Sequence, residues 1–291
     1  MRRDEVLAAL AAAATGVQVG AATVASRFAL AEADPASLAM LRYVIGFLCL
    51  APMALTATRP RFRGRDLLPI AVLGIVQFGV LVWLLNFGLR FVPSGRAALI
   101  FAVFPLLTML IAAALGEERM TGAKAAGVAA TILGVALALG EKALGGAGGG
   151  WIGEAAVALS ALCGATCAVL YRPYLRRYST LPVGALAMLA SVAFLAMPAA
   201  VGGFFAQAPR FSAGTWAAIV FIGVSSGAGY FLWLWALNHA TPTKVTVFLA
   251  LSPVTAMLLG AATLDEPVTA TALAGLCLVA LGLWLAHRPA D

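Results

Sequence analysis

Polar side chains are rare inside the long apolar stretches of this sequence, and their types indicate what chemistry they could do. They are mostly neutral amides, hydroxyls and aromatic rings, together with a few charged residues near the ends of the stretches, of which Arg42 lies deepest. Groups of this kind orient a small ligand through a few hydrogen bonds in an otherwise apolar pocket. We take nine of them as candidate ligand-binding residues: Gln18, Arg42, Tyr43, Gln77, Trp83, Asn86, Ser160, Tyr230 and Trp233.

A structural interpretation competes with the binding interpretation for each candidate. Aromatic residues of apolar helices often lie at the lipid interface or simply pack against their neighbours. Arg42 either pairs with a carboxylate of the ligand or extends its side chain to the membrane surface. As a set, the aromatic candidates favour an aromatic or amphipathic ligand over a strongly charged one.

Acidic residues and histidines are informative because none of them lies in the middle of an apolar stretch. A membrane-embedded enzyme would need such residues clustered, and neither His239 nor His287 stands in a cluster of histidines and acidic residues. The four cysteines lie in apolar runs without the spacing of a zinc site. The chain also lacks the phosphate-binding pattern GxxxxGK[ST]. We therefore expect no enzymatic activity, no metal, no cofactor and at most weak coupling to protons.

The elements that carry these residues follow from composition. The chain of 291 residues is 63% hydrophobic and 11% charged, whereas soluble domains are about 45–50% apolar and about 25% charged. A membrane span needs about 20 mainly apolar residues. The sequence thus predicts an all-α membrane protein with ten transmembrane helices: Val6–Ser26, Leu38–Thr56, Leu67–Leu89, Ser94–Leu115, Thr121–Gly140, Trp151–Leu170, Val183–Phe204, Thr215–Leu237, Thr243–Leu264 and Val268–His287.

Basic residues in the connections predict the orientation of these spans. With a cytoplasmic N-terminus, 13 of the 19 lysines and arginines lie on the inner side and 6 on the outer side. Because cytoplasmic loops are enriched in these residues, both termini are predicted to be cytoplasmic. The net charge of +7 is spread over short loops, so it does not indicate a nucleic-acid partner.

The chain also contains an internal repeat. Placing Pro105 on Pro253, at an offset of 148, aligns 34-residue segments with thirteen identities. A glycine-rich link, Gly145–Gly150, separates a first five-helix repeat (1–145) from a second (151–291). Because five is odd, the second repeat enters the membrane in the opposite sense. Inverted repeats of this kind allow one half to move against the other around a site near the membrane midplane.

The matched prolines are candidate hinges. Each removes a helix hydrogen bond, at a cost of about 3 kcal/mol in a soluble helix, and matched interruptions of this kind point to a transport site. A static kink is the alternative. Nine residues before each proline stands a basic residue, Arg96 or Lys244, which either helps form a gate or anchors its helix at the membrane surface. We interpret Glu118 and Glu266 as structural, because each precedes a helix whose N-terminus favours negative charge.

Three segments identify a family resemblance: "ADPASLAMLRYVIGFL", "SGRAALIFAVFPLLTMLIAAALGEERMTGAKAAGVAATILGVAL" and "TKVTVFLALSPVTAMLLGAATLDEPVTATALAGLCLVALGL". They resemble the EamA-type members of the drug/metabolite transporter superfamily, and among these most of all bacterial amino-acid exporters, including the YddG-type aromatic amino-acid exporters. The resemblance implies ten helices in a bacterial inner membrane, a central cavity and export by alternating access. The positions that match the family pattern are Arg42, Arg96, Pro105, Glu118, Gly127, Lys244, Pro253, Glu266 and Gly275.

Together these observations predict a secondary-active or facilitative exporter of aromatic or other apolar amino acids and related small metabolites, acting as a monomer in the lipid bilayer. Three alternatives stay open: an exporter of another metabolite or drug in the same fold, a channel, and a membrane-embedded enzyme. A cationic drug would favour a carboxylate in the middle of the membrane, and a nucleotide sugar would favour several basic pocket residues. The spans contain neither.

Overall fold

The computed structural model describes residues 3–56, 62–116, 120–144, 150–206, 209–239, 248 and 251–286. Across these residues the chain is helical and contains no strand. One π-helical segment, Ile75–Val80, lies between α3 and α4. The α-helices are α1 (Arg3–Ala29), α2 (Pro35–Thr56), α3 (Gly64–Gly74), α4 (Leu81–Leu89), α5 (Ser94–Phe101), α6 (Phe104–Ala114), α7 (Gly122–Leu144), α8 (Ile152–Leu170), α9 (Arg172–Leu175), α10 (Thr180–Val201), α11 (Ala213–His239), α12 (Leu251–Leu264) and α13 (Ala270–Ala286).

Seven stretches of helix in the described ranges are long and apolar enough to cross a membrane. They coincide with the first seven predicted spans, the third being α3, the π segment and α4 together, and the fourth being α5 and α6 together. The last three predicted spans lie over α11, α12 and α13, of which α12 and α13 are shorter apolar helices. The described part of the chain is thus all-helical, with enough long apolar helices for a multi-pass membrane protein.

The fourth span is interrupted in its middle. After Phe101 the backbone forms a tighter turn, in which Ala102 N donates to Leu99 O at 3.2 Å and Val103 N to Ile100 O at 3.3 Å. Helix α6 then begins at Phe104, so Pro105 lies in its first turn, where the missing N–H has no cost. The interruption that Pro105 predicts is therefore present at residues 102–103.

The helices pack in a small set of contacts. Helix α2 packs against α10 and α11, and α1 packs against α11 and α12. Helix α8 packs against α4, α5 and α6, while α10 packs against α3 and the π segment. Two further pairs, α5 with α12 and α7 with α13, complete the main contacts.

Glycines allow α7 and α13 to cross at backbone distance. A Cβ atom added to Gly134 would lie 2.7 Å from Gly275 O, and one added to Gly275 would lie 2.6 Å from Gly134 O. A Cβ atom on Gly282 would lie 2.6 Å from Gly127 O. Residue 127 thus faces 282 and residue 134 faces 275, so the two helices run antiparallel. In lipid there is no hydrophobic driving force between helices, so association depends on close packing. Small residues such as glycine allow this close packing.

Candidate functional site

Three aromatic side chains from three helical segments form a continuous cluster in the interior. The ring of Tyr43 on α2 lies 5.2 Å from the ring of Phe78 in the π segment, centroid to centroid. Phe78 in turn lies 6.4 Å from Tyr230 on α11, in an edge-to-face arrangement. Tyr43 is only 4% exposed. Edge-to-face and tilted geometries are favoured for such rings, so the three rings form one aromatic surface.

Arg42 lies beside this aromatic cluster. Its Nε atom donates a hydrogen bond of 2.7 Å to Ser226 Oγ on α11, and Ser226 donates in turn to Ile222 O at 2.8 Å. The guanidinium carbon lies 5.6 Å from the centroid of the Tyr43 ring, within the range of a cation–π contact.

The remaining nitrogens of Arg42 are available for a ligand. Among the described residues, its two Nη atoms have no hydrogen-bond partner and no carboxylate lies within salt-bridge distance. A guanidinium held through Nε keeps a planar pair of donors that matches the two oxygens of a carboxylate. The site can therefore bind a carboxylate next to aromatic rings.

Gln77 belongs to the π segment, one residue before Phe78. Its side-chain oxygen Oε1 is buried and has no hydrogen-bond partner. An unpaired buried amide oxygen is costly unless a ligand or water satisfies it, and π-helical turns occur frequently at functional sites. Gln77 is thus a candidate acceptor for an ammonium or hydroxyl group.

The other predicted binding residues lie elsewhere. Gln18 on α1 donates to Ser225 O, on the side of α11 that faces α1. Asn86 is buried and donates to Pro35 O at 3.1 Å. Ser160 is buried and donates to Val157 O in its own helix. Trp83 is exposed on α4, and the side chain of Trp233 on α11 lies outside the described residues.

Gln18 lines an apolar groove of about 790 Å³ between α1 and α11. Several of its walls are exposed, including Trp216, Val220 and Val224. An apolar groove on the outside of a helix bundle is typical of a surface that faces lipid chains. Gln18 thus contacts α11 from the side of α1, at Ser225, whereas Arg42 contacts the next residue, Ser226, from the side of α2.

Three of the four predicted hinge and gate residues lie in the described part of the chain. Arg96 is half-buried in the first turn of α5, and Pro105 lies in the first turn of α6, beyond the break. Pro253 is buried near the start of α12, which parallels Pro105. Lys244 lies outside the described residues, as does Glu118.

Glu266 corrects one expectation. The sequence predicts that its carboxylate supports the following helix, α13. Instead, both carboxylate oxygens accept a hydrogen bond of 2.9 Å from Ser94 N at the start of α5. The favourable interaction with a helix N-terminus is present, but the helix comes from the other half of the chain. Local sequence cannot show this, because the partner is 172 residues away.

Comparison with known proteins decides the family. The sequence profile of the EamA-like transporter family matches residues 6–140 and again residues 151–288, which is nearly the whole chain. The chain belongs to the EamA-like transporter family. This EamA-like protein is therefore a membrane transporter and not an enzyme, and the resemblance read from its sequence is confirmed.

Relatives of this EamA-like transporter carry informative names. A probable terminal-alkyne amino-acid exporter from Streptantibioticus cattleyicolor is 34% identical over 260 residues, covering 87% of this chain and 84% of that protein. A probable amino-acid metabolite efflux pump from Escherichia coli is 26% identical, covering 98% and 94%. One solved crystal structure shares the fold with a TM-score of 0.67 at 22% identity, covering 98% of this chain and 97% of that one.

Sequence reasoning missed two parts of the site in this EamA-like transporter. Phe78, which joins the two tyrosines, is one phenylalanine among many in an apolar run, so its type gave no signal. Ser226 was visible as a polar residue of a span, but its bond to Arg42 depends on how α2 and α11 face each other.

Proposed function

We propose that this protein exports aromatic or other apolar amino acids and related small metabolites by alternating access. The substrate carboxylate binds the Nη atoms of Arg42, and the apolar side chain packs on the rings of Tyr43, Phe78 and Tyr230. Gln77 accepts a hydrogen bond from the ammonium group. Arg42 carries this proposal, since it is a half-buried cation of α2 that is held by Ser226 and has no carboxylate partner among the described residues.

The names of two relatives support the same substrate class. The Streptantibioticus cattleyicolor protein is named for export of a terminal-alkyne amino acid, and the Escherichia coli protein for efflux of amino-acid metabolites. An amino acid with an apolar side chain has the chemistry that the Arg42 site accommodates. It carries one carboxylate for the guanidinium and an apolar part for the aromatic rings.

The helix contacts support an arrangement of two inverted five-helix repeats, 1–145 and 151–291. Under the sequence repeat, the contact of α1 with α11 corresponds to that of α8 with α4, and both occur. The contact of α2 with α11 corresponds likewise to that of α10 with α3 and the π segment. A two-fold relation between halves predicts such reciprocal contacts. Two related halves around one site favour a rocking transporter over a channel.

Transport by the purified full chain in proteoliposomes tests the proposal. We expect saturable transport of phenylalanine that tyrosine and leucine inhibit. Phenethylamine, which keeps the ring and ammonium but lacks the carboxylate, should inhibit poorly. In the Arg42→Gln variant, the ratio of the inhibition constant of phenethylamine to that of phenylalanine should fall at least about tenfold. The reason is that hydrogen bonds to charged groups are worth about 1.5–3 kcal/mol.

Ser191→Ala is the matched control, since Ser191 is buried and, among the described residues, its hydroxyl donates only to Met188 O. In this variant, the ratio of the two inhibition constants should equal that of the wild type. Equal inhibition of the wild type by phenylalanine and phenethylamine would overturn carboxylate binding at Arg42. If folded protein transports no amino acid, the proposed substrate class is wrong, and other metabolites or drugs are then assayed in the same vesicles.

A further inference from the structure

A polar cluster joins three elements at one end of the helix bundle. Glu266 Oε1 lies 2.7 Å from Arg27 Nε in the last turn of α1, and the Glu266 side chain is only 9% exposed. Glu266 also accepts hydrogen bonds from Ser94 N, at 2.9 Å, and from Ser94 Oγ. We call Arg27, Ser94 and Glu266 the Glu266 cluster. It connects α1, α5 and the segment between α12 and α13.

The chain around Glu266 is shaped to hold its carboxylate in this place. Asp265 has a φ of +52°, a left-handed conformation that reverses the chain after α12. Glu266 N then donates to Gly260 O at 3.2 Å. A Cβ atom on Gly260 would collide with the Glu266 carboxylate and with Ser94 Oγ. The absence of a side chain at residue 260 is therefore a condition for the cluster.

Arg27 extends the same connection to α4. Its Nη1 atom donates to Val92 O at 3.1 Å and also to Leu89 O, the last residue of α4. Directly below the cluster, Val24, Ala98 and Ala256 pack together as buried side chains of α1, α5 and α12. The polar cluster thus covers a closed contact between these three helices.

Helix α5 is positioned to respond when this cluster opens. It has eight residues and is about 12 Å long. Glu266 binds its N-terminus, and its other end is the helix break at residues 102–103. With the cluster intact, α5 is fixed at one end. Opening the cluster removes these bonds from the N-terminus of α5, and the break at residues 102–103 separates α5 from α6.

We propose that the Glu266 cluster is the gate of this EamA-like transporter at one membrane face, and that it must open once in every transport cycle. The proposal rests on the proposed transport function. The predicted topology places this face outside the cell. Arg27 and Glu266 are gating residues, which act on access to the pathway rather than on the substrate.

Access to α5 tests this gate without any substrate. The four native cysteines are replaced by serine in the full chain, and Ala98→Cys places one thiol beneath the cluster, where Ala98 is 6% exposed. The rate of reaction with a maleimide is then measured on purified protein. Glu266→Gln should raise this rate at least about fivefold, because it removes the ion pair and the charge-assisted bonds to Ser94. Arg27→Gln should raise it in the same direction.

Glu32→Gln is the matched control. Glu32 also accepts hydrogen bonds from a serine, Ser212, and the predicted topology places it on the same face, but it does not contact α5. Its maleimide rate should equal that of the wild type. An unchanged rate in Glu266→Gln overturns the gate even if the unfolding temperature falls, and so does an equal increase in Glu32→Gln. If Glu266→Gln does not fold, Arg27→Gln decides. Because labelling needs no substrate, failure of amino-acid transport leaves this result readable.

Discussion

At the scale of single residues, the interior of this protein uses a few polar atoms with defined partners. Ser226 Oγ accepts a hydrogen bond from Arg42 Nε. The two outer nitrogens of the guanidinium have no partner among the described residues. Gln77 keeps a buried oxygen without a partner. The unpaired Gln77 oxygen is unfavourable in an empty protein, since an unpaired buried polar atom costs free energy. Under the proposed function, a bound amino acid pairs with the Arg42 nitrogens and with the Gln77 oxygen, and this pairing favours binding at this position.

One prediction at this scale concerns a carboxylate outside the spans. Ser212 donates to Glu32 from its hydroxyl and from its backbone N–H, each at 2.7 Å. These bonds, the side-chain bond first, hold the pKa of Glu32 below its usual range. Ser212→Ala should raise the pKa of Glu32 toward the ordinary value, measured by NMR titration of labelled glutamate carboxyl groups.

Thr263→Ala is the control, because Thr263 is exposed and its hydroxyl donates to Leu259 O in its own helix. It should leave the titration of Glu32 unchanged. The sign of the stability effect follows from linkage. A carboxyl whose pKa is depressed on folding stabilises the fold above its unfolded pKa. That contribution is lost as the pH falls through the folded value. An unaltered pKa of Glu32 in Ser212→Ala would contradict the assigned cause.

At the scale of elements, two irregular helices border the site. The π segment carries Gln77 and Phe78, and the break between α5 and α6 lies before Pro105. The rings of Phe101 and Phe104 stack across this break at 5.8 Å. Gly164 of α8 lies directly against the Phe104 ring. The break is therefore packed into the bundle, which allows it to act as a defined joint.

Pro105→Ala tests whether this joint moves during transport. Alanine restores an N–H and favours a continuous helix across residues 102–103. We expect substrate binding to survive while transport slows several-fold, because the pocket remains and interconversion between states is hindered. The two substitutions should differ in the gate that they slow. Pro105→Ala should hinder movement of the outer gate, and Pro253→Ala should hinder movement of the inner gate. Transport rates and equilibrium binding are measured on the same purified variants.

Pro198→Ala is the control for the hinge experiment, since Pro198 lies inside α10, which continues past it without a break. It should transport at the wild-type rate. Wild-type rates for both Pro105→Ala and Pro253→Ala would show that these prolines are static kinks.

At the scale of the whole molecule, the crossing of α7 and α13 joins the ends of the two halves. The repeat pairs Gly127 with Gly275 and Gly134 with Gly282. The structure places Gly127 against Gly282 and Gly134 against Gly275. Gly127 therefore contacts the repeat partner of Gly134, and Gly134 contacts the repeat partner of Gly127. A two-fold axis between two antiparallel helices produces this exchange. This exchange supports the inverted arrangement from two helices alone.

Alanine at this crossing should destabilise the protein. In Gly134→Ala the new methyl group would lie 2.7 Å from Gly275 O, so the two backbones must separate. Overpacking of this kind costs about 1–3 kcal/mol. We expect a lower unfolding temperature in detergent for Gly134→Ala and for Gly275→Ala.

Gly140→Ala is the matched substitution in the same helix. No described residue lies within 4 Å of a Cβ atom there, and alanine is the better helix former by about 1 kcal/mol. Its unfolding temperature should be equal to or higher than that of the wild type. If Gly134→Ala is as stable as Gly140→Ala, the close crossing does not contribute to the fold.

Much of the architecture could be predicted from the sequence because its causes are local. A run of apolar residues long enough to cross a bilayer is a helix whatever surrounds it, since unpaired backbone groups are too costly in lipid. A proline removes a hydrogen bond from its own helix, so the break near residue 102 follows from Pro105. The repeat was visible for the same reason, because matched prolines and glycines are read directly from the chain.

The contacts that form the site were decided only by the tertiary structure. In a lipid environment, the faces of a helix that touch lipid and the faces that touch other helices are both apolar. The sequence therefore carries little signal for which faces meet. The bond of Arg42 to Ser226 spans 184 residues, and that of Glu266 to Ser94 spans 172. Both depend on how helices from opposite halves are rotated against each other, and this rotation is set by packing between helices rather than by either helix alone.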